Sequence, residues 1–258
     1  MGELSGVWRN LRVRLDDGIC RIRIERPDTG NAIDVHLVDE MNEVLDRCEP
    51  DSRIVVVEGL PEAFCVGADL AQLDARDSRD AAPDPAPLYD LWHRLAGGPF
   101  ISIAHVQGQA NAGGVGFAAA CDVVIAARGA SFGLSELLFG LMPACVLPFL
   151  IRRVGFAKAH YMTLSTQPVE AERAREWGLV DVCEPDSTDA LRRHLLRLRH
   201  LKKAAIARYK RYAATLDGSL AAARRPAIAA NLEVFGDTTN LHGISRFVNA
   251  GWLPWEHE

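Results

Sequence analysis

Residues 109–122 read Gln109-Ala110-Asn111-Ala112-Gly113-Gly114-Val115-Gly116-Phe117-Ala118-Ala119-Ala120-Cys121-Asp122, or "QANAGGVGFAAACD". Glycines give way to small and apolar residues, and no charge occurs before Asp122. A helix opening at Gly113-Gly114 leaves its first N–H groups without intrahelical partners. With the helix dipole behind them, those donors suit a negative oxygen. Glycine also lets a ligand approach backbone that a side chain would screen. The plainer alternative is a strand-to-helix turn packed on a neighbour. "GGVG" matches neither the G-x-G-x-x-G dinucleotide pattern nor a P-loop, because no Lys-Ser or Lys-Thr follows.

The flanks set this stretch between strands. "FISIAHV" (100–106) precedes it and "VVIAA" (123–127) follows. "RIVVVEGL" (53–60) is another β-branched run, and such runs read as strands covered on both sides. "RNLRVRLDD" and "GICRIRIER" alternate polar and apolar residues around Asp16-Asp17-Gly18, which predicts a hairpin. From Ile33 to Cys48 the apolar residues fall at helical intervals. The polar, proline-rich segment Ala75–Pro87 predicts a mobile loop. Beyond Ser131 the chain reads as helical, apart from a short strand-like piece in "GLVDVCEP". Strand, glycine turn, helix and strand recur through the first half, which argues for an α/β core with short crossovers.

Composition narrows the class. A chain of 258 residues suffices for one large domain or two small ones, and 48% apolar with 24% charged residues is ordinary for a soluble globular protein. "MGELSGVWRNL" has no apolar signal core and no run reaches transmembrane length, so a cytoplasmic protein is expected. The six cysteines form no CxxC pair and have no histidine at ligand spacing. They read as reduced and buried, with no structural metal. Net charge is −5, yet Arg192–Arg211 holds nine Lys or Arg and no acid. That run reads as a basic helix, either a docking surface for an anionic partner or a solvated face. Nucleic acid is disfavoured by the acidic balance and by Tyr209 being the sole aromatic in the run.

A second stretch sharpens the first. "EGLPEAFCVGADLAQL" (58–73) also runs from a strand through a glycine turn into a helix. Two such mouths can aim two N–H groups at one oxygen, an oxyanion hole suited to the enolate or tetrahedral oxygen of a thioester.

"RPDTGNAID" (26–34), "AFCVGADL" (63–70), "VQGQANAGGVGFAAACDVVIAA" (106–127) and "SFGLSELLFGLMPA" (131–144) stand in an order and spacing that resemble the enoyl-CoA hydratase/isomerase (crotonase) superfamily. The likeness runs from about Leu11 to Val182. It implies a spiral of ββα turns over residues 1–190 and a helical trimerisation region over 191–258, with trimers often paired into hexamers. It also implies backbone oxyanion donors at Ala68 and Gly113, with Gly114, Asn111, Gln109 and Cys65 around the substrate. Ala112 takes the place of the family's first glycine. Family hydratases use two glutamates; here the first position is Gly116 and the second is Glu136. One carboxyl is thus left to move protons, which serves isomerisation or elimination. Asp69 is a further catalytic candidate, with helix capping as the alternative.

"ELLFGLMPACVLPFL" (136–150) replaces the family's glycine-rich segment with Ala144-Cys145-Val146-Leu147-Pro148. In this it resembles the dehydratases of polyketide β-branching cassettes, which act on 3-hydroxy-3-methylglutaryl groups tethered to an acyl carrier protein. The resemblance implies a carrier-protein partner, or coenzyme A as the alternative carrier, and no cofactor or metal. A single-glutamate isomerase and a non-catalytic binding protein are the rival readings. His105 reads as a satisfied core histidine, Cys65 and Cys145 as packing residues flanking the pocket. Arg152 and Arg153 are the cations nearest the variant segment, either substrate-facing or on the surface.

Overall fold

Alternation about Asp17-Gly18 folds β1 (Leu11–Asp16) onto β2 (Ile19–Ile24) as an antiparallel hairpin. Both turn residues have positive φ, 46° and 71°, the backbone that a tight hairpin turn demands. The computed structural model describes residues 8–75, 83–253 and 255–256. Four further strands extend the hairpin: β3 (Ile54–Glu58), β5 (Ile101–Val106), β7 (Val123–Ala127) and β10 (Val182–Glu184). They lie in the order β1-β2-β3-β5-β7-β10, parallel from β2 onward.

The β-branched runs are covered on both faces, as their composition predicts. Val55, Val57 and Ala104 enter the main core, whereas Ile54, Val56, Ile103 and Ile125 pack under Ala190, Leu191 and Leu195. Short strands β4 (Ala63–Cys65), β6 (Gln109–Asn111), β8 (Ser131–Gly133) and β9 (Val169–Glu170) form a second sheet in that order.

Each spiral turn therefore runs from a long strand to a short strand to a helix. β3 and β4 lead to α2 (Leu70–Asp74), then α3 (Ala86–Gly97). β5 and β6 lead to α4 (Gly113–Ala120), and β7 and β8 to a 3-10 turn at Glu136–Phe139 and then α5 (Leu147–Ser165). The helix expected from Ile33 is α1 (Val35–Cys48), with Asp34 capping the N–H of Leu37. It starts two residues late because Ile33 instead forms a parallel bridge with Ala68.

After α6 (Ala171–Glu176) come α7 (Ser187–Leu198), α8 (Lys203–Leu216), α9 (Ser219–Phe235) and α10 (Thr238–Ala250). The expected division between residues 190 and 191 falls inside α7, whose Ala190 and Leu191 share one core cluster. Of the expected mobile loop, residues 76–82 lie outside the described residues, and Ala86-Pro87 already belongs to α3.

The basic run is two helices rather than one, and much of its charge is paired. Arg193 meets Glu184 and Asp189, Arg192 meets Asp189, and Arg199 meets Asp17. Lys210 is buried, its Nζ 2.6 Å from Asp122 Oδ2 and 2.9 Å from the Phe100 carbonyl. Asp122, the first charge after the glycine mouth, thus anchors the C-terminal helices to the core. His105 is satisfied by Glu58 and Ser187, each at 3.0 Å. All six cysteines are free, and five are buried.

Candidate active site

The two glycine mouths meet. A Cβ built on Gly67 would lie 2.7 Å from Ala112 Cβ and 3.6 Å from Gly113 N. A Cβ on Gly113 would lie 3.8 Å from Gly67 Cα. Gly67 has φ +102°, a conformation that side chains resist. Ala112, at φ 49° and ψ −115°, holds strained backbone where glycine would be relaxed. Flanking hydrogen bonds fix these turns: Ile33 N to Gly67 O (2.7 Å), Asp69 N to Ile33 O (2.9 Å) and Ala112 N to Gly133 O (2.9 Å). The amides of Ala68 and Gly113 donate to no backbone acceptor among the described residues. Both residues line a cavity of about 240 Å³.

Glu136 lines the same cavity, brought there by the turn after β8. Asn111 Nδ2 donates to Ser135 Oγ at 2.8 Å, tying the Gly113 mouth to the Glu136 loop. Burial raises the Glu136 carboxyl from its ordinary 4.5 to about 7, against opposing hydrogen bonds from the backbone at Glu136 and Ser135. Its Oε2 is buried without a partner. A carboxyl with a free oxygen and a value near neutrality can both take and return a proton.

Of the other acids at the cavity, Asp39 is exposed, and Asp69 and Asp34 are engaged. Asp69 Oδ1 accepts from Gln72 N at 3.1 Å, capping α2, while Oδ2 meets Arg26 at 3.1 Å. The same Arg26 nitrogen lies 2.8 Å from Asp34, itself the cap of α1. Asp69 therefore holds the Ala68 turn in place, the capping alternative of the two sequence readings. Asp69→Asn keeps the cap and loses the Arg26 pair. It should lower stability by about 1–3 kcal/mol while leaving kcat within a few-fold, read by thermal melts and initial rates.

Position 116 shows why a second glutamate is absent. A Cβ on Gly116 would lie 2.5 Å from Trp92 Cη2 and 2.6 Å from Cζ2, so the indole fills that volume. Trp92 is 1% exposed and packs edge-on against Phe117 and Phe149. Gly116→Glu should not create a hydratase. It should cost at least about 3 kcal/mol in denaturant unfolding, because it combines overpacking with a buried charge.

Ala68, Asp69, Asn111, Gly113 and Glu136 are thus brought together around one cavity. Cys65, Gly114 and Gln109 are not. A Cβ on Gly114 would lie 2.1 Å from the Cys65 carbonyl oxygen, so these two residues seal α4 against β4 behind the cavity. Gln109 is exposed at the far end of β6. Cys65 and Cys145 both have thiols pushed up to about 12 by burial, which rules out a ready thiolate.

Cys145 and its neighbours Ala144 and Val146 form a wall of the cavity, so the variant segment borders it. Among the described residues, no Lys, Arg or His lines it. Arg153 ties α5 to Asp181 and to the carbonyls of Cys121, Asp122 and Leu179, while Arg152 is exposed outside this cavity. Sequence reasoning missed Trp92 and Arg26. Arg26 stands in the quoted "RPDTGNAID", but Trp92 lies on a helix between the two mouths with no motif to mark it.

Among the described residues, no group of His, Cys, Asp and Glu could hold a metal, and no helix is long and apolar enough to cross a membrane. The enoyl-CoA hydratase/isomerase family model matches residues 14–258. The bacillaene synthase dehydratase PksH of Bacillus subtilis (strain 168) is 48% identical over 254 residues, covering 97% of this chain and 98% of that protein. The crystal structure of a putative polyketide biosynthesis enoyl-CoA hydratase (pksH) from Bacillus subtilis superposes with TM-score 0.93 at 47% identity, covering 96% of this chain and 100% of that one. The 2,3-dehydroadipyl-CoA hydratase of Escherichia coli (strain K12) is 36% identical over 192 residues, covering 73% and 72% of the two chains.

Proposed function

This chain belongs to the enoyl-CoA hydratase/isomerase family, and from that premise we propose that it removes water from a 3-hydroxy-3-methylglutaryl thioester to give the 3-methylglutaconyl thioester in polyketide β-branching. The observation that carries this reading is Glu136, the cavity carboxyl that combines burial with an unpartnered oxygen, lining the same cavity as Ala68 and Gly113. The amides polarise the thioester carbonyl, and the Glu136 carboxylate takes a proton from C2. The enolate electron pair then forms the C2–C3 double bond as the C3–O bond breaks. The departing oxygen takes the proton from Glu136, which releases water and restores the carboxylate. A tertiary hydroxyl favours this elimination, and the step consumes no redox cofactor or metal.

The naming of a 48%-identical relative as a dehydratase of bacillaene synthase supports the assignment. For the carrier we take an acyl carrier protein. Arg197, Lys202, Arg208 and Arg211 are exposed on α7, α8 and the connection between them, and suit the steering of an acidic partner. Exposed Phe156, Tyr161 and Leu164 on α5, with Tyr209, Tyr212 and Leu216 on α8, support self-association into a trimer or hexamer. We place the protein in the cytoplasm, where six free thiols stay reduced. Mass spectrometry of the acyl group on carrier protein and on coenzyme A tests the reading. Loss of one water is expected, faster on the carrier protein. An unchanged mass with a shifted double bond in an enoyl substrate would identify an isomerase.

A further inference from the structure

Two buried polar atoms of residues lining the cavity lack partners: Glu136 Oε2 and Trp92 Nε1. The mechanism uses the first and leaves the second unexplained. A buried N–H without an acceptor costs on the order of 1–3 kcal/mol, so native proteins rarely keep one without use. The indole is held firmly. Its ring centroid lies 5.7 Å from Phe117 and 5.8 Å from Phe149, both edge-to-face, and its outer edge covers Gly116. Cζ2 lies 3.8 Å from a Cβ built on Gly113. Nε1 is bonded to the ring carbon next to Cζ2, so it sits two bonds from the ring atom that approaches Gly113. No hydrogen bond joins it to Glu136.

We propose that Trp92 is a substrate-binding residue whose Nε1–H donates a hydrogen bond to the C3 hydroxyl oxygen of the acyl chain. This assignment rests on the dehydration reading above. A hydroxyl has one donor and two acceptor sites, so it can satisfy the indole N–H and exchange a proton with Glu136 at once. Indole is a donor only, and cannot itself take up the proton. It therefore orients the leaving oxygen while Glu136 carries out both transfers. The aromatic clamp fixes the indole, so little side-chain entropy is lost on binding.

The test compares two ligands, 3-hydroxy-3-methylglutaryl and 3-methylglutaryl pantetheine thioesters, which differ in the hydroxyl alone. Binding is measured on Glu136→Gln protein, which leaves the first ligand intact, with and without Trp92→Phe. Loss of the N–H should weaken the hydroxylated ligand about tenfold and the deoxy ligand less than about twofold. Equal weakening of both would show a packing role, and no weakening of either would show no contact; each result overturns the assignment. If Trp92→Phe does not fold, the indole N–H proton resonance of Trp92 is followed with its ring nitrogen labelled in protein retaining Trp92. A downfield shift with the hydroxylated ligand alone is expected, and identical spectra with both contradict the proposal. Absence of dehydration by the wild-type enzyme would refute the functional reading separately, since the ligand comparison needs no turnover.

Discussion

Glu136→Gln is expected to lose dehydration by at least about a thousandfold while keeping its fold. Glutamine preserves shape and hydrogen-bonding capacity but cannot accept the C2 proton, and no other cavity acid among the described residues combines burial with an unpartnered oxygen. The pH dependence follows from the same burial. Proton removal requires the carboxylate, so kcat/KM of the wild-type enzyme should climb as pH rises through about 7, where burial places this group. Stability runs the other way. The carboxyl binds its proton more tightly folded than unfolded, so its contribution is complete below pH 4.5 and is lost as pH climbs through about 7. At pH 8 the variant should therefore be more stable than wild type, by at most about 3 kcal/mol. At pH 4 this advantage should vanish. Circular dichroism melts at the two pH values check the sign, and equal melting at both would show the carboxyl to be solvated.

Gly67→Ala is the second large effect. The residue sits at φ +102°, and its new Cβ would lie 2.7 Å from the Cβ of Ala112, a side chain with no free end to swing aside. Relief requires the two mouths to part, which misplaces the Ala68 and Gly113 amides together. Losing one such donor costs about 10²- to 10³-fold in kcat, so a fall of that size or more is expected. Gly113→Ala provides the contrast. Its Cβ would meet Ile33 Cδ1 at 2.5 Å, the end of a side chain that can rotate, and φ there is not positive. A loss below about tenfold is expected, and steady-state kinetics of the pair separates misplaced donors from general crowding.

Much of this architecture could be read from local pattern. The turn at Asp17-Gly18, the helix ending at Cys48 and the doubly covered strand at Ile54–Glu58 each follow from spacing that needs no tertiary information. The approach of the Gly67 turn to Gly113 was legible too, because both motifs repeat one strand-glycine-helix signal. What the pattern hides is pairing across the fold. Arg26 gathers Asp34 and Asp69, and Trp92 fills the space over Gly116, across sequence separations that no periodicity encodes. Cys65 and Gly114 lie within the right motifs yet face away from the cavity, since their close contact is what brings α4 onto β4. The basic run misleads for a similar reason. Its most buried cation, Lys210, is held by Asp122, which is distant in sequence.

The central claim is that one carboxyl performs both proton transfers on an enolate held by two backbone amides. The geometry of elimination tests it most directly. A 3-hydroxy-3-methylglutaryl carrier protein of defined C3 configuration, deuterated stereospecifically at C2, is converted; the label retained in the product is read by mass spectrometry and the geometry of its double bond by NMR. A single group serving both carbons removes hydrogen and hydroxyl from the same face, so syn loss is predicted. Anti loss would require a second acid on the opposite face and would contradict the assignment of Glu136 as the lone proton carrier.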